Sequence, residues 1–273
     1  MVPAEAPGGP NTPLRLRIRF SKQGKIRFTS HRDVARMWER ALRRSRLPVA
    51  LSQGFNPHPL LSFGLALPTG CESLGEYLDV RLEPPDDPER FDAGLAELPA
   101  QLSSLLPGGV EVQAVKPLHM GHGSLQQEVA SCNWQLEVLE VAGEELAGRV
   151  ERLLAAPSLL VRRERKGRQT EDDIRPAILT LALDPADGSG PDDQPQHEVH
   201  PNHPNGRLHA LLATHPRGVR PSDLVAALGT DVVLARACRT HQWIERDGAR
   251  FEPLSVGGLE AGPVVTHAAG RAS

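Results

Sequence analysis

Two histidines, His31 and His58, are of a type that can do acid–base chemistry. His31 opens a basic helical segment, and His58 sits in the Pro-fixed loop Ser52-Gln53-Gly54-Phe55-Asn56-Pro57-His58-Pro59. Imidazole titrates near neutral pH, so such a pair can act as general base and general acid in metal-free RNA cleavage. Asp33 is placed to orient His31. The plainer alternative is two surface or hydrogen-bonded histidines, with Asp33 equally explained as part of a helix cap.

The surrounding cations point to binding. Leu14–Pro48 holds twelve Arg and Lys against Asp33 and Glu39, in a chain whose formal net charge is -3. The rest of the chain is therefore acidic, and the segment reads as a face for a polyanion, with RNA the first candidate. Arg15, Arg17 and Arg19 alternate along one strand face, and Arg36, Arg40 and Arg43 share one helix face with Arg44 beside them. Lys22, Lys25 and Arg27 lie between. If both faces point the same way, they meet several phosphates. The competing expectation is a solvated face, partly neutralised by Glu39 and Arg43 at i, i+4 spacing. In the loop, Gly54 permits close approach and the prolines hold Phe55, Asn56 and His58 in a rigid turn. Such a turn suits stacking on a base or contact with a phosphate, unless Phe55 packs in the core.

Other chemistries find little support. Cys71, Cys132 and Cys238 are odd in number and far apart, which argues against a disulfide framework and fits a reducing cytoplasm. His197, His200 and His203 resemble a ligand cluster, but they lie in a low-complexity stretch without helical metal-site spacing. No metal is expected. There is no phosphate loop, dinucleotide-type glycine turn, nucleophile elbow or cysteine cluster for an iron–sulfur centre. The N-terminus lacks the basic and apolar regions of a secretory signal, and no run of residues is apolar enough to predict a membrane span.

The elements that must position these residues follow from periodicity. Residues 1–13 read as a disordered tail. Leu14–Phe20 alternates apolar with basic residues, a half-buried strand, and Lys25–Thr29 reads as its bulged continuation. Ser30 caps a helix to about Arg46 whose apolar face is Val34, Met37, Trp38, Ala41, Leu42 and Ser45. Strands at Leu60–Leu67 and Glu76–Leu82, a helix at Phe91–Leu105 and a strand at Val110–Val115 complete β-α-β-β-α-β, the ferredoxin-like order.

The second half repeats it more faintly. Asn133–Val141 reads as a strand and Glu144–Leu154 as a helix. Leu159–Arg165 and Ile174–Leu183 are strands around the basic turn Arg162–Arg168, which can extend the basic face or simply be solvated. Arg207–Thr214 is a strand, Ser222–Leu228 a helix and Gln242–Glu245 the last strand. The alternative makes Leu208–Thr214 and Ser222–Leu228 two helices of a winged-helix unit. The fold class expected is α+β with two ferredoxin-like domains, at 14–118 and 129–247. A polar insertion occupies 184–206, and 248–273 is a mostly disordered tail.

The ordered block Phe20-Ser21-Lys22, Arg27-Phe28, Ser30-His31, Asp33, Glu39-Arg40, Arg43-Arg44, Leu47-Pro48 and Ser52-x-Gly54-Phe55-Asn56-Pro57-His58-Pro59 is similar to the radical-SAM-associated family of unknown function. Ala66-Leu67-Pro68, Gly70, Ser73 and Glu76 continue the likeness, and Asp173-Ile174-Arg175-Pro176 and Val219-Arg220-Pro221 resemble later motifs of that family. Leu is usual where this chain has Arg32. Members occur alone or fused behind a radical SAM enzyme, and are often encoded near ribosome and ribonuclease genes. The resemblance thus implies a separate radical SAM partner that carries the iron–sulfur cluster and S-adenosylmethionine, with no cofactor in this chain. It transfers no catalytic residue. The expected function is an RNA-binding accessory module for tRNA or rRNA modification, in the cytoplasm and away from membranes. A ribonuclease using His31 and His58, and a protein-docking subunit that never touches RNA, are the alternatives.

Overall fold

The computed structural model describes residues 14–118, 123–141, 143–165, 168–184 and 206–254. The expected N-terminal tail, residues 255–273 of the other, most of the polar insertion and the three histidines at 197, 200 and 203 lie outside them.

The alternating segment at the start forms strand β1 (Leu14–Lys22). Its apolar face, Leu16, Ile18 and Phe20, meets helix α1 (His31–Arg44), which contributes Val34, Trp38 and Leu42 to the same core. Lys25–Thr29 does not extend the strand. Gly24–Phe28 is a 3₁₀ turn, with Gly24 at φ 70°, that delivers the chain to the helix. Ser30 caps α1 by accepting a bond from the Asp33 amide at 3.2 Å, and its hydroxyl donates to the Asp33 carboxylate at 2.7 Å. This closes the expected cap, with Asp in place of the commoner Glu.

Strands β2 (Leu61–Phe63) and β3 (Glu72–Leu82) follow. The expected helix over 91–105 divides into α2 (Pro88–Gly94) and α3 (Leu98–Leu105), because Gly94 and Pro99 interrupt a continuous run of backbone bonds. Strand β4 (Val110–Leu118) completes the first half. The second half holds α4 (Leu125–Glu128), β5 (Val129–Leu139), α5 (Gly143–Ala155), β6 (Leu160–Arg165), β7 (Arg168–Asp173), β8 (Ile178–Leu183), β9 (Gly206–Ala213), α6 (Pro221–Leu228), β10 (Val233–Arg246) and β11 (Ala249–Phe251).

Four expectations change here. Residues 206–213 are a strand, so the winged-helix alternative fails. The segments on either side of the expected basic turn, β6 and β7, pair with each other in a separate two-stranded sheet outside the main one. The final strand starts at Val233 rather than Gln242, and the tail expected from residue 248 begins with β11 and a packed segment at 252–254.

The fold is mixed α+β, built on one nine-stranded sheet in the order β4-β1-β3-β10-β5-β9-β8, with β2 added to β3 and β11 to β10. Within each half every pairing is antiparallel, giving β4-β1-β3-β2 in the first and β10-β5-β9-β8 in the second. The halves meet where β3 and β10 run parallel for two residue pairs, Cys238 opposite Glu72 and Arg239 opposite Ser73. Each half has its own apolar core under its helices. No helix among the described residues is long and apolar enough to cross a membrane.

Candidate nucleic-acid interface

Helix geometry sorts the basic residues of α1. With Val34, Trp38, Ala41 and Leu42 buried, Arg32, Arg36, Arg40 and Arg43 fall within about 80° of arc on the opposite side. All four are exposed, as is Arg44. Arg36 has an exposed partner, Asp33, at 3.3 Å. Among the described residues, Arg32, Arg40 and Arg44 have no carboxylate partner. The expected Glu39–Arg43 pair does not form. Arg43 instead donates to the Pro57 carbonyl at 2.7 Å and ties the 52–59 loop to the end of the helix.

That loop is closed by its own polar groups. The Ser52 amide donates to the His58 carbonyl at 2.9 Å, the His58 amide to Ser52 Oγ at 3.1 Å, and Ser52 Oγ meets His58 Nδ1 at 2.9 Å. Gly54 takes φ 128°, a backbone that side chains rarely adopt. The result holds Phe55 at the tip, fully exposed, with Asn56 and His58 also exposed. Phe55 is thus not a core residue. A held, uncovered phenyl beside a row of guanidinium groups has the parts of a base-stacking and phosphate-binding surface.

At the other end of α1, Lys25 is exposed and the Arg27 guanidinium lies 4.8 Å from the Phe28 ring centroid. Phe28 is 63% exposed. It and Arg32 extend the surface and were not among the residues singled out from sequence. Arg32 could have been found, since it repeats Arg36 at helical spacing. Phe28 carries no such signal.

The arginines of β1 are placed differently. Arg17 lies opposite Asp79 across the β1–β3 ladder and binds it through Nε at 2.8 Å and Nη2 at 3.0 Å. Arg15 approaches the same carboxylate at 3.5 Å. Arg19 pairs with Glu252 at 2.6 Å and donates to the Gln113 side chain and the Leu254 carbonyl. Arg17 is 2% exposed and Arg19 8%. The expected half-buried strand is buried on both faces, because Leu125 and Leu254 pack on Tyr77 and the 252–254 segment lies against both arginines. The strand and helix cations therefore do not form one face.

His31 and His58 are not brought together. His31 packs edge-on against Phe63, with ring centroids 5.1 Å apart. The His58 loop is bonded to Arg43, about 18 Å further along the helix axis.

Beneath the head of α1 lies the seam of the two halves, which is rich in buried charge. Arg239 is 2% exposed and grips both oxygens of Glu76 at 2.7 Å. Glu72, 1% exposed, pairs with Arg236 at 2.5 Å and Arg27 at 3.4 Å. Lys22 sits 3% exposed, its ammonium donating to the carbonyls of Arg27 and Thr29. Burial lowers its pKa. All three cysteines are free. Burial pushes the Cys132 thiol up to about 11 and Cys238 up to about 12, and raises Cys71 too, so none is an activated nucleophile. Burial also raises the Tyr77 phenol, whose oxygen has no partner among the described residues. No group of three or more His, Cys, Asp or Glu among the described residues is arranged to hold a metal.

A family model described as "Uncharacterized protein conserved in bacteria (DUF2344)" matches residues 15–213. No curated protein matches the chain.

Proposed function

The chain belongs to that uncharacterized bacterial family, and from this premise we propose that it is an RNA-binding accessory module. The observation that carries the reading is the solvent face of α1. There Arg32, Arg40 and Arg44 stand without carboxylate partners among the described residues, beside a bonded loop that displays Phe55. Arg36 and Lys25 add to the phosphate-binding set, and Arg43 holds the loop. Phe55 stacks on a base while Asn56 and His58 contact the same nucleotide. Arg15, Arg17, Arg19 and Lys22 are left out of the backbone-tracking set because their positive groups are turned to partners inside the fold.

We read each half as a ferredoxin-like unit. The support is the strand order, which in both halves runs fourth, first, third, second with antiparallel pairing. The radical SAM partner rests on the sequence resemblance alone. In this reading the module presents tRNA or rRNA to a separate enzyme that carries the cluster and S-adenosylmethionine.

The test is binding of the full chain to tRNA and rRNA fragments across a salt series. Affinity that falls steeply with salt, and that is lost in the Arg36→Glu/Arg40→Glu double variant, is the expected result. Unchanged affinity in that variant would sink the RNA role. If the radical SAM partner is captured without RNA at low salt, the face is a protein-docking surface.

A further inference from the structure

An exposed phenyl ring stands at each end of α1. Phe55 rides on the loop that Arg43 ties to the last turn of the helix. Phe28 sits in the turn just before the helix, with the Arg27 guanidinium against its ring. A ring left in water forgoes the stabilisation that burial brings, yet the backbone around both rings is firmly held. The peptide before Phe28 is fixed by its Arg27 carbonyl, which accepts from the Gly70 amide at 2.8 Å and from the buried Lys22 ammonium at 3.2 Å. On the other side the Thr29 amide donates to the Ile26 carbonyl at 3.0 Å, and the Thr29 carbonyl accepts from Lys22 at 3.0 Å. The Ser52–His58 bonds do the same for Phe55.

Between the rings run Arg32, Arg36 and Arg40, all exposed. At four-residue spacing, successive members are about 6 Å apart along the helix axis and about 40° apart around it. That pitch is close to the spacing of successive phosphates along one extended strand. Arg32 and Arg40 have no carboxylate partner among the described residues, and the exposed Asp33–Arg36 contact is weak in water. Three guanidinium groups meet three phosphates, and three phosphates join four nucleotides. The rise from the start of α1 to Arg43 is about 18 Å, so the two rings are spaced for the two ends of such a segment. A duplex cannot use them. Its bases are paired and stacked on one another, whereas single strands, loops and ends can splay a base onto an aromatic side chain.

We propose that the face along α1 takes a single-stranded RNA segment of about four nucleotides, its end bases stacked on Phe28 and Phe55 and its phosphates on Arg32, Arg36 and Arg40. Phe28 is thereby a second stacking residue, and Lys22 positions it from inside the fold. The segment rests on the RNA reading above, but its strandedness and its length do not follow from that reading.

Fluorescence anisotropy on the full chain tests it, with a labelled RNA strand of about twelve nucleotides free of self-pairing, alone or annealed to its complement. Annealing is expected to weaken binding by about tenfold or more. In a series of shorter strands, affinity should climb steeply up to about four nucleotides and change little beyond. Phe28→Ala should cost about tenfold with the single strand. Phe251→Ala, which removes an exposed ring on β11, should cost nothing. Equal or tighter binding of the duplex overturns the proposal, as does a Phe28→Ala protein that folds and binds the single strand as tightly as the wild type. Should Phe28→Ala fail to fold, the comparison of strand with duplex on the wild type decides alone. Duplex and single strand bound equally, with both lost in Arg36→Glu/Arg40→Glu, keep the RNA reading and defeat the single-stranded segment. No affinity for either RNA at low salt defeats both.

Discussion

Strand β1 and helix α1 carry arginines at nearly the same density, and the fold uses them in opposite ways. In β1, Arg17 and Arg19 are sandwiched in the sheet's second face, each opposite a carboxylate. In α1, Arg32, Arg40 and Arg44 face water without carboxylate partners among the described residues. The difference is one of neighbours. A strand has two faces, and here a second layer covers the one that the apolar residues leave. A surface helix has one buried stripe, so its remaining side chains stay in solvent. A run of cations is therefore a binding face only where nothing else in the chain lies against it.

The largest effect should come from breaking a strand arginine. Arg17→Met leaves buried Asp79 with only the longer, less buried contact to Arg15 at 3.5 Å, and is expected to cost about 3–5 kcal/mol of stability in urea unfolding. The RNA affinity of the folded fraction should not change. If Arg17→Met instead folds normally and loses RNA, the contrast between the two elements is wrong.

Next come the helix arginines, where the effect reverses. Arg36→Glu with Arg40→Glu should lower RNA affinity by about tenfold or more at low salt. Its unfolding free energy should stay within about 0.5 kcal/mol per substitution of the wild type, since both sites are exposed.

Phe55→Ala sharpens the comparison at a site that has no packing role. With the ring fully exposed, stability should be unchanged, while loss of one stacked base costs about 1–3 kcal/mol of binding. A melting temperature that drops with no change in affinity would make Phe55 a structural residue after all.

The smallest effect belongs to the cap of α1. Ser30→Ala should cost about 1 kcal/mol. The Ser30 hydroxyl bonded to Asp33 holds that carboxyl below its ordinary value. The folded state thus favours ionised Asp33. Its contribution is present above the unfolded carboxylate pKa and is lost as pH falls through the lower folded value. In Ser30→Ala that acid-side loss should shrink, as unfolding measured between neutral and acid pH would show.

Much of this organisation was readable from local pattern. The 3.6-residue spacing of Val34, Trp38, Ala41 and Leu42 and the alternation of Leu14–Phe20 gave α1 and β1. The exposed half of the candidate surface followed directly, because a helix's solvent face is implied by its buried one. The fate of Arg17 and Arg19 was not readable. Their partners, Asp79 and Glu252, are 62 and 233 residues away, and no period in the sequence reports which distant carboxylate lies across a sheet. Strand β10 shows a strand pattern over only four of its fourteen residues, Gln242–Glu245, for a related reason. Its Arg236, Arg239 and Gln242 look like solvent-facing residues, but at the seam they are held by Glu72, by Glu76 and by the Gly75 carbonyl. The β6–β7 hairpin was missed as such because β7, Arg168–Asp173, has no apolar residue to mark a face.

The 252–254 segment also sets an order of events for a chain made from its N-terminus. Arg19 leaves the ribosome more than two hundred residues before Glu252 does. Until then the back of the first strand lacks part of its cover, and the Arg19 guanidinium, without Glu252, is open to the nearest polyanion, the ribosomal RNA itself. The 252–254 segment acts as a latch that ends this period, converting a sticky cation, Arg19, into an internal strut. A nascent chain stalled before residue 252 should therefore cling to polyanions more strongly than the finished protein, through an arginine that the finished protein has put away.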